Sequence, residues 1–361
     1  MARLEEICSL ITDGSHFSPE DEGVGYPMFS VKDMTPNGFN ISGCKKIGEE
    51  AYKKLVANGC KPLNDDVVVA KDGSYLKTAF VIKGNPEIAL LSSIAILRPK
   101  IDLVVPEYLS YFLKSDAVYR TVSLNYITGT ALKRIILKGI RKIEVDLPDI
   151  GEQEQRAQRL SKVDYLCQLR KQQLAKLDEL VKARFVEMFG NKDYPRMKWN
   201  NVFNTTTGKL DSNAAVDNGK YPFFTCSKEP LKIDSYAFDQ TALLLAGNNA
   251  AGKYDVKYYQ GKFNAYQRTY VLSLKHNWSY KLFQYQLEDK LLYLQTKSLG
   301  GLTKYLTLKI LGELDFIVPP LALQNEFATF VARIDQQKQT VQQSLEKLEL
   351  MKKALMQEYF G

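Results

Sequence analysis

One stretch of the sequence has the residue types and spacing of a phosphate-binding loop. Residues 247–253 read GNNAAGK and follow an apolar run, as a glycine-rich loop follows a strand in that motif. Tyr254 stands where the motif needs Ser or Thr to hold magnesium, and 255–259 predict a strand instead of the required helix. The first half of the chain keeps Lys77 opposite Lys253 but lacks both glycines. We interpret the segment as part of a β-hairpin shared by both halves, with a nucleotide-dependent enzyme as an alternative.

Residues that could hold a metal or act as nucleophiles are scattered. The two histidines, His16 and His276, lie far apart, and the five cysteines include no CxxC pair. An odd number of dispersed cysteines is typical of a reducing compartment, so we expect a cytoplasmic protein without a zinc site. No GxSxG, HExxH or dinucleotide fingerprint is present. We therefore expect neither enzyme activity nor a bound cofactor in this chain.

The bulk composition is that of a globular protein. The 361 residues carry a formal net charge of +8, which favours an anionic partner but is also found in ordinary basic enzymes. No run of 18 apolar residues could cross a membrane, and the first residues, MARLEEICSLITDG, do not resemble a signal peptide.

The chain repeats itself. Residues 129–190 align with 300–361 without a gap, and identical pairs include Lys133/Lys304, Gln153/Gln324, Asp164/Asp335 and Phe189/Phe360. Upstream, residues 26–30 correspond to 221–225 and residues 67–70 correspond to 243–246. The offsets differ between these pairs, which indicates loop insertions. We predict four segments: a domain over 1–150, a helical spacer over 151–190, a second domain over 191–320 and a second spacer over 321–361.

The two repeated tails predict long helices. Residues 152–189 contain no Pro or Gly, and apolar residues recur at spacings of three and four in a stripe narrow enough for a coiled coil. At 1.5 Å per residue each helix would be roughly 55 Å long. If the second domain has neighbouring termini, the second helix must run back antiparallel to the first. Packing of each helix on its own domain, or a homodimer, remains an alternative. The predicted seam comprises Leu160, Val163, Leu174, Leu177, Val181, Val331, Ile334, Val341, Leu345, Leu348 and Leu355.

The remaining segments predict an α+β fold with two pseudo-symmetric globular domains separated by the pair of antiparallel helices. β-rich runs bounded by turn residues occur at 67–70, 79–82 and 94–97, and again at 242–246, 256–259 and 270–274. Helical patterns cover 106–115 and 279–296. The polar residues after the strands differ between the copies, as two different recognition tasks would require and as neutral drift could also produce.

This layout resembles the specificity subunit of Type I restriction-modification enzymes. The helix starts, VDLPDIGEQ at 145–153 and IVPPLALQ at 317–324, are similar to the family's apolar-Pro-Pro-Leu-x-x-Gln pattern. Gly-containing turns at 128–130 and 300–301, and Asp72-Gly73 after a strand, also look typical of the family. Asp149 replaces the second proline in copy one, and Leu323-Gln324-Asn325 departs from the family's acidic pattern in copy two.

The resemblance implies a function and partners. Each domain would read one half of a split target in double-stranded DNA, and the helices would set the spacing and dock modification subunits. Those subunits would bind S-adenosylmethionine and methylate adenine N6 through base flipping, and a restriction subunit would cut unmodified DNA. A scaffold that holds two domains for ligands other than nucleic acid is the alternative.

Candidate DNA contacts follow from the chemistry of phosphates and base edges. Lys and Arg suit phosphates, while Asn, Gln, Ser and Arg suit base edges. In the first domain the candidates are Lys32, Lys71, Lys77, Ser92, Ser93, Lys133 and Arg134. In the second domain they are Ser227, Lys228, Asn248, Asn249, Lys253, Gln267, Arg268 and Lys304.

Overall fold

The computed structural model describes residues 1–73, 76–128, 133–190, 192–250 and 252–361. It divides into two compact units, the first comprising Met1–Gln172 with Gln342–Gly361 and the second Gln173–Val341. Each unit combines helices and sheets, which confirms the predicted α+β class. The division between the units runs through both long helices. Ser74, Gly129 and Thr130, which belong to segments singled out in the sequence, lie outside the described residues.

The helices of the first unit are α1 (Leu4–Ile7), α2 (Glu49–Ala57), α3 (Pro106–Leu113), α4 (Asp116–Asn125) and α5 (Leu137–Arg141). Its strands are β1 (Ala2–Arg3), β2 (Cys8–Asp13), β3 (Tyr26–Phe29), β4 (Met34–Thr35), β5 (Gly38–Phe39), β6 (Lys45–Ile47), β7 (Val67–Ala70), β8 (Ala79–Val81), β9 (Ala89–Leu90), β10 (Ile94–Pro99), β11 (Ile127–Thr128), β12 (Arg134–Ile135) and β13 (Glu144–Val145). The unit is built on a four-stranded antiparallel sheet of order β2-β10-β7-β8 and a three-stranded sheet of order β6-β3-β9.

Strand β7 is buried on both faces. Val67 and Val69 join one core cluster with α3, whereas Val68 joins another cluster on the opposite face. Because successive side chains of a strand point to opposite faces, a continuous apolar run is expected where both faces are covered. This explains why the sequence shows no polar alternation at 67–70.

Helix α6 (Ile150–Phe185) follows the first globular part and ends in a π-helical turn, Val186–Gly190. At 1.5 Å per residue, its 36 residues rise about 54 Å, which agrees with the predicted length.

The helices of the second unit are α7 (Trp199–Val202), α8 (Tyr280–Asp289), α9 (Leu291–Lys297) and α10 (Leu308–Gly312). Its strands are β14 (Arg196–Lys198), β15 (Phe203–Thr207), β16 (Tyr221–Phe224), β17 (Leu231–Ile233), β18 (Phe238–Ala246), β19 (Asn248–Asn249), β20 (Val256–Ala265), β21 (Thr269–Leu274), β22 (Lys304–Tyr305) and β23 (Asp315–Ile317). The unit repeats the first around a six-stranded sheet of order β15-β21-β18-β20-β16-β17. Helix α11 (Leu321–Phe360) follows β23.

The four-stranded and three-stranded sheets of the first unit correspond together to the six-stranded sheet of the second unit. In the second unit, the continuous strand β20 joins the two parts into one sheet. It pairs antiparallel with β18 and then parallel with β16, as β8 pairs with β7 and β9 with β3 in the first unit. Between β8 and β9 the chain turns through Gly84, with a φ of 70°, and Pro86 cannot donate to a sheet. The loop at 84–86 therefore divides one strand into two.

The structure contradicts the alternative of a phosphate-binding loop. Residues after Ala246 form the short strand β19 and then β20, which pairs antiparallel with β18, so a strand follows Lys253 where the motif needs a helix. The shared hairpin is confirmed, because β7 and β8 pair in the same way.

The two long helices are antiparallel within each unit. In the first unit, the Arg156 guanidinium donates to the Tyr359 carbonyl at 3.3 Å, and Lys171 pairs with Glu349 at 3.2 Å. In the second unit, Arg184 pairs with Glu326 at 2.6 Å. As residue numbers rise along α6, the residues of α11 that contact it have lower numbers. The two helices therefore run in opposite directions, as predicted. Every residue of the predicted seam is buried or half-buried.

Each long helix ends in the core of the unit where the other one begins. In the first unit Phe360, near the end of α11, lies with its ring centroid 5.2 Å from that of Tyr108 on α3. In the second unit Phe189, in the turn that ends α6, lies 5.7 Å from Phe327 on α11. The repeated Phe-Gly pair of the sequence thus places one phenylalanine in the core of each unit, with a different aromatic partner in each.

Candidate nucleic-acid interface

In the first unit, several loops meet beyond the ends of the central strands. The Lys71 amide donates to the Ser93 carbonyl at 2.9 Å, and the Ile135 amide donates to the Lys71 carbonyl at 3.0 Å. The Gly73 amide donates to the Lys133 carbonyl at 2.9 Å. Backbone hydrogen bonds therefore bring together the segments around Lys71, Ser93 and Lys133, which are far apart in the sequence.

The exposed candidates of these loops form one surface. Lys32 lies on a 3-10 turn whose Val31 amide donates to Ser93 Oγ at 3.0 Å. Lys133 and Arg134 are exposed, and Ser92 and Ser93 are half-buried. We call the set Lys32, Ser92, Ser93, Lys133 and Arg134 the first loop surface.

Two other candidates of the first unit are placed differently. Lys71 is only 8% exposed and forms an ion pair with Asp13, so its ammonium already has a partner. Lys77 lies over the Tyr119 ring at 5.3 Å and lines a separate cavity of about 670 Å³ with Lys114 and Lys352. His16, which the sequence reasoning did not select as a DNA contact, is 80% exposed beside Asp13 at 3.7 Å.

In the second unit, three candidates line one polar cleft of about 340 Å³. Ser227, Asn248 and Asn249 form its wall together with side chains that the sequence reasoning missed, namely Ser212, Thr225, Cys226, Tyr266 and Thr303. Those residues come from separate loops, so no local pattern relates them. Hydroxyl and amide groups dominate this cleft, and such groups can both donate and accept hydrogen bonds.

The other candidates of the second unit surround the same loops. Arg268 is exposed, and its carbonyl accepts from the Gly247 amide at 2.8 Å. Lys304 lies opposite Asn249 in the β19–β22 pair, and Lys253 is exposed beside it, its amide 3.3 Å from Asn249 Oδ1. Gln267 Nε2 donates to Asp211 Oδ2 at 3.2 Å, and Lys228 is exposed.

The described residues contain no group of His, Cys, Asp and Glu arranged to hold a metal ion. Burial raises the pKa of the Cys8 thiol to about 12, which keeps it protonated and non-nucleophilic. Within the described ranges, no helix is long and apolar enough to cross a membrane. The cations and the amide and hydroxyl groups gathered here suit the phosphates and base edges of a nucleic acid.

A family model described as the Type I restriction modification DNA specificity domain matches residues 1–179 and again 191–350. The chain belongs to this family. The two matched segments are the two halves of the duplication, so the chain carries two specificity domains. This agrees with the resemblance drawn from the helix starts and the repeat.

Curated relatives and solved structures agree with this assignment. The chain is 51% identical over 80 residues to the EcoDI specificity subunit of Escherichia coli, covering 22% of the chain and 17% of that relative. It is 22% identical over 194 residues, 52% of the chain, to the putative MjaX specificity subunit of Methanocaldococcus jannaschii, of which the match spans 44%. The fold is similar to that of the Type I S subunit from M. genitalium, with a TM-score of 0.63, 16% identity and coverage of 100% and 95% of the two chains.

Proposed function

We propose that this chain is the DNA sequence-specificity subunit of a Type I restriction-modification enzyme, and that each of its two globular parts reads one half of a bipartite target. The observation that carries the proposal is the repetition of one fold with different side chains at equivalent loops. The first unit has Asp72 and Arg134 where the second unit has Asn248 and Tyr305, and the second unit presents a cleft of hydroxyl and amide groups. A repeated scaffold with dissimilar loops is what two different half-targets require.

In this proposal, surface cations hold the DNA backbone, all of them exposed except Lys304, which is half-buried. Lys32, Lys133, Lys228, Lys253 and Lys304 would contact phosphates, and the Ser, Asn, Gln and Arg side chains would contact base edges. Lys71 is left out of the phosphate contacts because its ammonium is buried against Asp13.

The long helices would set the distance between the two half-targets and dock the other subunits of the enzyme. Modification subunits would bind S-adenosylmethionine and methylate adenine, and a restriction subunit would cut unmodified DNA. This division of labour is consistent with a specificity chain that itself performs no chemistry, in the cytoplasm where the genome lies.

The experiment is an exchange of the first domain. Residues 1–150 are replaced by those of a relative with a different target, the chimera is co-expressed with the modification subunit, and methylated sites are mapped. We expect one half of the target to change and the other half to stay. No methylation of a bipartite site by the wild-type complex, together with no DNA retention at moderate salt, would instead favour a scaffold for other ligands.

The phosphate contacts have their own test. Lys228→Ala should weaken DNA binding about equally on all sequences and reduce the slope of log Kd against log salt by about 1. The matched control is Lys54→Ala, since Lys54 is exposed on α2 and outside both loop regions. Equal slopes for the two variants would remove Lys228 from the proposed contacts.

A further inference from the structure

One position recurs at the same point of both units. Asp72 follows β7 and forms an antiparallel bridge with Arg134. Asn248 follows β18 at the equivalent place and pairs with Tyr305, which aligns with Arg134 in the repeat. The backbone arrangement is thus shared, whereas the side chains are Asp and Arg in one unit and Asn and Tyr in the other.

Both copies have a buried acceptor at this position that accepts no hydrogen bond. Asp72 Oδ1 and Asn248 Oδ1 are inaccessible to solvent and have no hydrogen-bond partner within the described part of the chain. An unsatisfied buried polar atom destabilises the folded chain, so its presence needs an explanation. Two such atoms lie at matched positions on the loops that carry the candidate DNA contacts, which indicates that the explanation is functional.

In the second unit, no hydrogen bond holds the buried side-chain oxygen of Asn248. Asn248 lines the polar cleft with Ser227 and Thr225, and the terminal torsion of an Asn side chain is broad and roughly two-fold. Because no partner holds Oδ1, a change of rotamer of the whole side chain breaks no hydrogen bond at this atom and would bring both the acceptor and the donor of the amide to the cleft. An acceptor and a donor side by side match the N6 amino group and N7 of adenine.

In the first unit the carboxylate of Asp72 lies against Arg134. Asp72 Oδ1 is 3.9 Å from Arg134 Nε, and the Arg134 side chain is 51% exposed. A nearby carboxylate restricts the guanidinium while leaving its terminal N–H groups free to project outward. Two parallel N–H donors match O6 and N7 of guanine.

We propose that this matched pair of positions reads one base pair in each half-target, through its second member in the first unit and its first member in the second: Arg134, positioned by Asp72, reads a guanine, and Asn248 reads an adenine. The inference rests on the proposed function and names residues that determine its specificity. The duplicated scaffold would then carry base preference in the side chains of one bridged pair of positions, with the surrounding loops supplying the backbone contacts.

The experiment measures base preference at every position of the target. The wild-type chain and its variants are purified in complex with the modification subunit and incubated with a DNA library randomised over both half-targets, and methylated molecules are sequenced. We expect Asn248→Asp, which removes the donor, to lower the preference for adenine at one position of one half about 5- to 150-fold. Arg134→Gln should lower the preference for guanine at one position of the other half by a similar factor. Asp72→Asn should lower that same guanine preference by a smaller factor.

Lys228→Ala is the control, because loss of a phosphate contact should lower methylation of all sequences alike. If Asn248→Asp does not fold, Asn248→Ser removes the amide with less disturbance and should give the same loss of adenine preference. Unchanged preferences at every position in the folded variants at 134 and 248 would overturn the inference while leaving the proposed function intact. A wild-type complex that shows no bipartite preference would overturn the proposed function itself.

Discussion

Gln153 and Gln324 make the same hydrogen bonds at the starts of the two long helices. Gln153 Nε2 donates to the Pro148 carbonyl at 2.9 Å, and Gln153 Oε1 accepts from the Val105 amide at 2.9 Å. Gln324 Nε2 donates to the Pro319 carbonyl at 2.8 Å, and Gln324 Oε1 accepts from the amide of Ser279, just before α8, at 3.0 Å. Each side chain is at most 1% exposed, so each glutamine joins a helix start to the preceding proline loop and to a globular part.

Replacement of either glutamine should therefore destabilise its own unit. Gln153→Ala leaves the Val105 amide and the Pro148 carbonyl buried without their partner, which should lower the free energy of unfolding by about 2–3 kcal/mol. Urea unfolding followed by circular dichroism measures this change. Glu154→Ala, at the next and exposed position, is the control. Equal midpoints for the two variants would show that the hydrogen bonds contribute little.

Phe360 should stabilise the first unit although it lies near the end of the longest helix. Its ring packs between those of Tyr108 and Phe112, with centroids at 5.2 and 6.0 Å. Phe360→Ala should cost about 3–4 kcal/mol, because it removes a large buried side chain and leaves a cavity. Amide hydrogen exchange should show faster opening of α3. Leu350→Ala, at a position that is 67% exposed, serves as the control; protection of α3 that is equal in both variants would contradict the prediction.

Two equivalent glycines should resist substitution because the backbone passes too closely. Gly14 follows β2 and Gly208 follows β15, and a Cβ at either position would overlap a carbonyl oxygen, that of Leu90 or that of Ala265. Gly14→Ala and Gly208→Ala should each destabilise the chain by about 1–3 kcal/mol or more through displacement of the adjacent strand. Gly312→Ala, where a Cβ meets nothing within 4 Å, should not. Thermal unfolding of the three variants checks this, and equal midpoints would refute it.

Lys114 should make the stability of the first unit depend on pH. Burial, the neighbouring charge of Lys352 and, in the opposite sense, Asp164 set its pKa, which falls from 10.5 to about 8. Between pH 8 and 10.5 the unfolded chain binds more protons at Lys114 than the folded chain, so this group makes stability rise with pH over that window. Below pH 8 the cost of burying the charge is fully present.

Lys114→Met should therefore raise the free energy of unfolding at pH 7 by about 1–2 kcal/mol, since part of the full shift is screened by solvent. The gain over the wild-type protein should shrink as the pH approaches 10.5. Chemical unfolding at pH 7 and pH 10 measures both quantities. Lys54→Met, at an exposed site, is the control, and parallel pH curves for Lys114→Met and the wild type would contradict the assignment.

The duplication and the buried strands were predictable because both depend on local patterns. The run 67–70 is apolar throughout, and strand β7 has those bounds. Long-range pairing was not predictable: nothing near Lys71 in the sequence indicates that its ammonium meets Asp13, 58 residues away. For the same reason the sequence led to Asn248 and Asn249 but not to Thr225 or Thr303, which reach the cleft from other loops.

Helix boundaries failed where a break depends on tertiary packing. The pattern over 279–296 predicts one helix, whereas the structure has α8 ending at Asp289 and α9 beginning at Leu291. Lys290 between them retains near-helical backbone angles, with a φ of −89° and a ψ of −4°, so propensity alone does not mark the break. The length of β20 was underestimated as well, because its far half is stabilised by the parallel partner β16.

The position of Phe360 in the first core sets a condition on how such chains can recombine. A graft that takes only residues 1–150 from a relative leaves the Phe360 ring of the recipient to pack in the core of the donor's domain. Exchange of one half-target reader therefore succeeds only where donor and recipient agree on a few core side chains around that ring, such as Tyr108 and Phe112. A domain with a new target can therefore be acquired only if the residues that contact the helix ends stay compatible. This constraint would keep the two repeated tails similar while the loops diverge.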